Sequence, residues 1–82
     1  MKVSIDNLCN GNLIRVTLGR IDLWFSYQTI IAFEDDSGIT ASQNVWSVTT
    51  GRHLNTIQPN KRARIPHDEF RTRLETVLQS LQ

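Results

Sequence analysis

Apolar and polar residues alternate along the first half of the chain with the period of two that marks strands. Val3 and Ile5 alternate with Ser4 and Asp6, which predicts a short half-buried strand. Asn10-Gly11 then reads as a tight turn, because both residues tolerate positive φ. Leu13 to Leu18 places Ile14, Val16 and Leu18 on one face and Arg15 and Thr17 on the other. After Gly19-Arg20, Ile21, Leu23, Phe25 and Tyr27 share a face opposite Asp22, Trp24 and Ser26. Ile30-Ile31-Ala32-Phe33, within Gln28 to Glu34, is apolar on both faces and predicts a central strand covered from both sides. One helix covers one face, so the second cover is expected to be another subunit or a ligand stacked near Trp24. Asp35-Asp36-Ser37-Gly38 is a hairpin turn, and Ile39 to Val45 is the expected returning strand. Short connections make the sheet an antiparallel meander.

The period changes at Asn44-Val45-Trp46-Ser47-Val48-Thr49-Thr50-Gly51-Arg52-His53-Leu54-Asn55-Thr56-Ile57. Ser47 can cap a helix over about Val48 to Ile57. Trp46, Thr50, Leu54 and Ile57 then face the core, and Arg52, Asn55 and, more laterally, Thr49 and His53 face outward. Gly51 costs such a helix about 1 kcal/mol relative to alanine. Close approach of some group to the backbone would compensate. Gln58-Pro59-Asn60 ends the helix, and Lys61-Arg62-Ala63-Arg64 is a basic loop. Pro66 opens a final helix in its first turn, with Asp68 and Glu69 at its positive end. Phe70, Leu74, Val77, Leu78 and Leu81 form its apolar stripe. The expected fold is one α+β domain spanning 1–82, an antiparallel meander of about five strands with a short helix near 48–57 and a packed C-terminal helix near 67–81.

Length and composition narrow the class. Eighty-two residues sit near the lower limit for a self-sufficient core, and chains of this size often gain burial by oligomerising. Hydrophobic content of 39% and charged content of 21% fit a globular chain rather than a disordered one. No apolar run approaches the roughly 20 residues of a membrane span, so no membrane partner is expected. One cysteine, Cys9, cannot close an internal disulfide, and the expected location is cytoplasmic. The net charge is only +1, but it is uneven. Residues 1–51 hold three basic and five acidic side chains, whereas residues 52–73 hold six basic and two acidic ones. A local positive end suits an anion.

Three chemistries can use these residues. Thr49 and Thr50 at a helix start, with Arg52 and the nearby Lys61, Arg62 and Arg64, could hold phosphate. Trp24, Tyr27, Phe33 or Trp46 could stack a base, and Asn44 and Asn55 could read its edges. A core anchor, a cap and a helix start are the competing structural roles for the same residues. Alternatively, Lys61, Arg62 and Arg64, with Arg71 and Arg73, could track a nucleic-acid backbone, although Glu34-Asp35-Asp36 opposes this. Finally, His53 and His67 could form an acid/base pair. No glycine-rich phosphate loop or Ser-His-Asp order accompanies them. One cysteine and two separated histidines fall short of a zinc pattern, and no cofactor is implied.

The segments Leu23-Trp24-Phe25-Ser26-Tyr27, Ala32-Phe33, Asn44 to Asn55, Arg64-Ile65-Pro66 and Glu69-Phe70 resemble a small domain of bacteriophages and archaea. Its pattern runs LWFSY, AF, then NVWS-TTGKHLN; Arg52 stands where lysine is commoner, which keeps the charge. The resemblance covers nearly the whole chain but implies no particular activity. A looser similarity is to phage anti-Thoeris sponges, small oligomeric sheet-then-helix proteins that sequester cyclic ADP-ribose-type signals with arginine, an aromatic ring and asparagine. Phe33, Asn44 and then Arg52 or the 61–64 loop come in a comparable order. The expectation is a non-enzymatic, homo-oligomeric phage-type protein that binds a phosphate-bearing small molecule. Thr49, Thr50 and Arg52 would hold phosphate, with His53, Asn55, Lys61, Arg62 and Arg64 around them, and Asn44 with Phe33 or Trp24 would orient the base. The alternative is a nucleic-acid-binding accessory protein.

Overall fold

Five strands pair in chain order as one antiparallel sheet: β1 (Val3–Asn7), β2 (Leu13–Leu18), β3 (Ile21–Ser26), β4 (Thr29–Asp35) and β5 (Gly38–Ala41). Helix α1 (Val48–Ile57), a single 3-10 turn at Lys61–Ala63 and helix α2 (His67–Gln79) complete the chain. This computed structural model describes residues 2–8 and 12–81. The expected Asn10-Gly11 turn and Cys9 lie outside the described residues. The α+β meander is the architecture that the alternation predicts, because the two-residue turns after Leu18, Ser26 and Asp35 return each strand beside its predecessor. At one such turn Tyr27 has φ +57°, uncommon for a bulky side chain; its N–H donates to the Asn12 carbonyl at 2.8 Å.

The register sorts side chains onto two faces. Ile5, Val16, Leu23, Phe33 and Thr40 form one row across all five strands, and Asp6, Arg15, Trp24, Ala32 and Ala41 form the row behind it. Helix α2 packs on the first face, where Phe70 meets Leu23 and Phe33, with Leu74, Val77 and Leu78 against the same cluster. Helix α1 packs on the second, where Leu54 meets Leu13, Trp24, Ile31, Ala32 and Ala41, with Trp46 and Ile57 at the margin.

The two-sided apolar strand is therefore covered within one chain, by a different helix on each face. The expectation that a second subunit or a ligand covers Ile30–Phe33 is corrected. So are the ligand-stacking roles of Trp24 and Phe33, which are 6% and 2% exposed inside the two cores. A bulge adjusts the strand. Trp24 pairs with Ala32 and Phe25 with Ile30, leaving Ile31 as an extra residue. Ile31 and Ala32 consequently both serve the α1 side.

The returning strand ends at Ala41, not at Val45. Ser42 bridges Ile65 in parallel, the Ile65 N–H donates to the Ala41 carbonyl at 2.9 Å, and the Gln43 N–H donates to the Ile65 carbonyl at 2.8 Å. The chain after Arg64 thus pairs with the end of β5 at Ala41 and holds Ser42 and Gln43 beyond it. A second departure concerns β1. Val3 and Ile5, the expected buried side, are 60% and 67% exposed, because α2 reaches β3 and β4 but not the first strand. On the opposite side Arg15 Nη2 donates to Asp6 Oδ2 at 2.9 Å. That bond raises the Arg15 pKa above its ordinary value against opposing desolvation, with smaller contributions from the charges of Asp6, Asp22 and Glu34.

Candidate functional site

Both ends of α1 are fastened by residues outside it, and the fastenings enclose a cleft. At the N-terminus the Ser47 hydroxyl accepts the Thr50 N–H at 3.2 Å, the cap expected from sequence. Asn44 folds under this turn. Its Oδ1 accepts the Trp46 N–H at 3.0 Å, and its Nδ2 donates to the Ser47 carbonyl at 2.8 Å. A Cβ at Gly51 would sit 2.9 Å from that Nδ2, which explains a glycine in the middle of the helix. In an Asn44→Ala background, Gly51→Ala should therefore stabilise by about 1 kcal/mol, the full helix-propensity gain. In the wild type, loss of the Asn44 bond should cancel most of that gain. Urea denaturation of the four proteins checks the coupling.

At the other end α1 has no basic residue in its last turn, so Arg64 supplies one from outside. Its Nε and Nη2 donate to the Gln58 carbonyl at 3.1 and 2.9 Å, and Nη2 also reaches Asn55 Oδ1 at 2.7 Å. Arg64 is only 7% exposed, and among the described residues it has no carboxylate partner. Its acceptors are neutral. The 3-10 turn delivers it inward: the Arg64 N–H closes on the Lys61 carbonyl, and Asn60 Oδ1 accepts the Arg62 N–H at 3.1 Å. Between these fastenings lies a cleft of about 330 Å³, lined by Gln43, Asn44, Gly51, Asn55, Lys61 and Arg64.

The structure brings Asn44, Asn55, Lys61 and Arg64 together and separates the other candidates from them. Thr49, Arg52 and Arg62 are exposed and do not line this cleft. Arg52 lies three residues before Asn55, on an adjoining part of the helix surface. Thr50 and His53 are both 5% exposed. The outward placing of His53 is corrected: it lies one turn after Thr50, on the side that meets the end of β3. Ser26 joins them, with its Oγ 2.7 Å from His53 Nδ1 and 3.0 Å from Thr50 Oγ1. Ser47 Oγ donates to Thr50 Oγ1 at 3.3 Å. Ser47, Thr50, Ser26 and His53 thus form one connected hydrogen-bonded chain between the start of α1 and the end of β3. This network replaces the phosphate-holding role expected for Thr50. The Tyr27 ring lies 5.9 Å from the His53 ring.

The two histidines do not meet as a pair. His67 binds Ser42 at 3.2 Å, and Ser42 Oγ already donates to the Gln43 carbonyl, so His67 Nδ1 is the donor. Its ring stands edge-on to Trp46 at 5.1 Å, beside a second groove that includes Phe25, Phe70 and Arg71. Ser26 and Ser42 escaped the sequence reading as candidate site residues. Ser26 was legible as sharing a face with Trp24, but its partners are 24 and 27 residues away. Among the described residues no cluster of metal-ligating side chains occurs, and no helix is long and apolar enough to cross a membrane.

Comparison with known proteins adds lineage to this geometry. No curated protein and no solved structure matches the chain. A family model described as a family of unknown function, DUF8033, matches residues 4–72, from β1 into the first half of α2, and so includes the whole lining of the α1 cleft. The chain belongs to the DUF8033 family.

Proposed function

We propose that the chain is a non-enzymatic binding protein for a phosphate-bearing small molecule, held in the cleft between α1 and the 3-10 turn. The observation that carries this reading is Arg64, nearly buried, with neutral acceptors and, among the described residues, no carboxylate partner. A buried charge is costly unless it is paired. The partial negative charge at the C-terminus of α1 offsets part of that cost, and an anion in the cleft would offset the rest. Lys61 adds a second cation at the rim, and Asn44, Asn55 and Gln43 offer amide groups around it. The volume lies at the lower end of the range for ligand pockets, which suits a phosphate with its sugar better than a large ligand. Sequestration of a nucleotide-type or ADP-ribose-type immune signal is the biological role that this chemistry and the phage resemblance favour.

Isothermal titration with inorganic phosphate, ADP-ribose and cyclic nucleotides tests the proposal. Binding with fixed stoichiometry is expected, weakened about tenfold by Lys61→Ala through loss of one charge-assisted contact. Lys61 is exposed, so this variant keeps its fold. Absence of binding, or binding indifferent to Lys61, would refute the assignment. The nucleic-acid alternative loses a member of its basic segment to the interior. Arg64 is turned under α1, and of the cations of that segment only Lys61 and Arg62 remain exposed.

A further inference from the structure

The two edges of the sheet are treated differently. At the end of β5 the Ala41 carbonyl is bonded to Ile65, whereas among the described residues β1 pairs only with β2. The Gly19 N–H donates to the Lys2 carbonyl, and the Leu8 N–H to the Leu13 carbonyl, so the even-numbered residues of this strand bond inward. By antiparallel alternation Val3, Ile5 and Asn7 direct their N–H and C=O groups outward. The strand has no proline and no bulge, two of the means of blunting an edge, and the charges at Lys2 and Asp6 are of opposite sign. Its exposed apolar side chains continue into a shallow hollow of about 380 Å³, lined by Ile5, Ile14, Val16, Phe25, Tyr27 and Gln28.

We infer that β1 pairs antiparallel with β1 of a second copy of this chain, about a two-fold axis at Ser4. The register follows from the side chains. Centring on Ser4 sets Val3 opposite Ile5 of the second copy, so outward-directed backbone groups meet and two apolar side chains adjoin on the α2 face. The same centring sets Lys2 opposite Asp6 on the α1 face. Within its own chain Lys2 stands against Gly19 and makes no ion pair among the described residues. Asp6 is bonded to one guanidinium nitrogen and is half-exposed, so it can accept a second cation. Centring on Ile5 instead would oppose Val3 to Asn7 and Lys2 to Leu8, and loses both matches. A two-fold axis normal to the sheet keeps each face continuous, so the α1 clefts of both copies open on the same side.

Sedimentation of the full chain across micromolar concentrations tests the pairing, and a dimer is expected. Ile5→Lys should raise its dissociation constant at least about a hundredfold, since two symmetric apolar contacts are lost. Lys2→Glu should raise it about tenfold by facing Asp6 with a like charge. Both residues are exposed, and unchanged circular dichroism would show that the fold survives. In a Cys9→Ser background, Ser4→Cys should cross-link spontaneously under mild oxidation, because directly opposite non-hydrogen-bonded residues lie within disulfide reach. Ile5→Cys should not. A monomer at every concentration, a dimer indifferent to Ile5→Lys, or cross-linking through position 5 instead of position 4 would each overturn the inference.

Discussion

Phe70→Ala is expected to lower the unfolding free energy by about 3–5 kcal/mol, the range for removing a fully buried ring. Phe70 is 1% exposed, and its ring centroid lies 5.8 Å from that of Phe33 in a tilted pair. No other α2 side chain is buried; Leu74, Val77 and Leu78 are half-covered contributors to the same cluster. Truncation therefore leaves a cavity under the helix and removes its one deep anchor. In a domain of this size the loss approaches the whole stability. Urea denaturation gives the magnitude. Amide exchange gives the location: α2 should lose protection before α1, whose anchor Leu54 lies on the opposite side of the sheet.

Arg64→Ala should cost about 2–3 kcal/mol, more than expected of a residue in a basic surface loop. The variant removes three hydrogen bonds, unfastens the end of α1 and leaves the Gln58 carbonyl without its charged donor. Arg62→Ala, two residues away and exposed, should change stability by less than about 0.5 kcal/mol. Arg64→Lys should fall between them, since an ammonium keeps the charge at the helix terminus but cannot span two acceptors as a planar fork. Thermal and urea unfolding of the three variants check this order. Equal effects of Arg62→Ala and Arg64→Ala would mean that the guanidinium is not seated as described.

Local signals were legible wherever the outcome depended on neighbours in sequence. Ser47 and the apolar spacing placed α1 at Val48–Ile57, and the alternation with its short turns yielded the meander. What could not be read depended on where distant segments return. The strand after Gly38 ends early because Ile65, more than twenty residues later, competes for the same edge. His53 looked lateral on a helical projection, yet Ser26 at the end of β3 rises to meet it. Arg64 had the composition of a solvated loop, and only the fold shows that the end of α1 lies beside it. Of the candidate site, Asn44, Asn55, Lys61 and Arg64 converge, while Thr49 and Arg52 stay apart from the cleft. Gly51 was the most informative single residue, since its poor helix propensity pointed to a close neighbour, and Asn44 is that neighbour.

The extra residue in β4 ties the two halves of the molecule to one strand. Ile31 and Ala32 hold the first helix, and Phe33, next in line, holds the second. Neither layer can peel away without disturbing the backbone on which the other rests. Three consecutive residues of a single strand are thus the common footing of both helical layers.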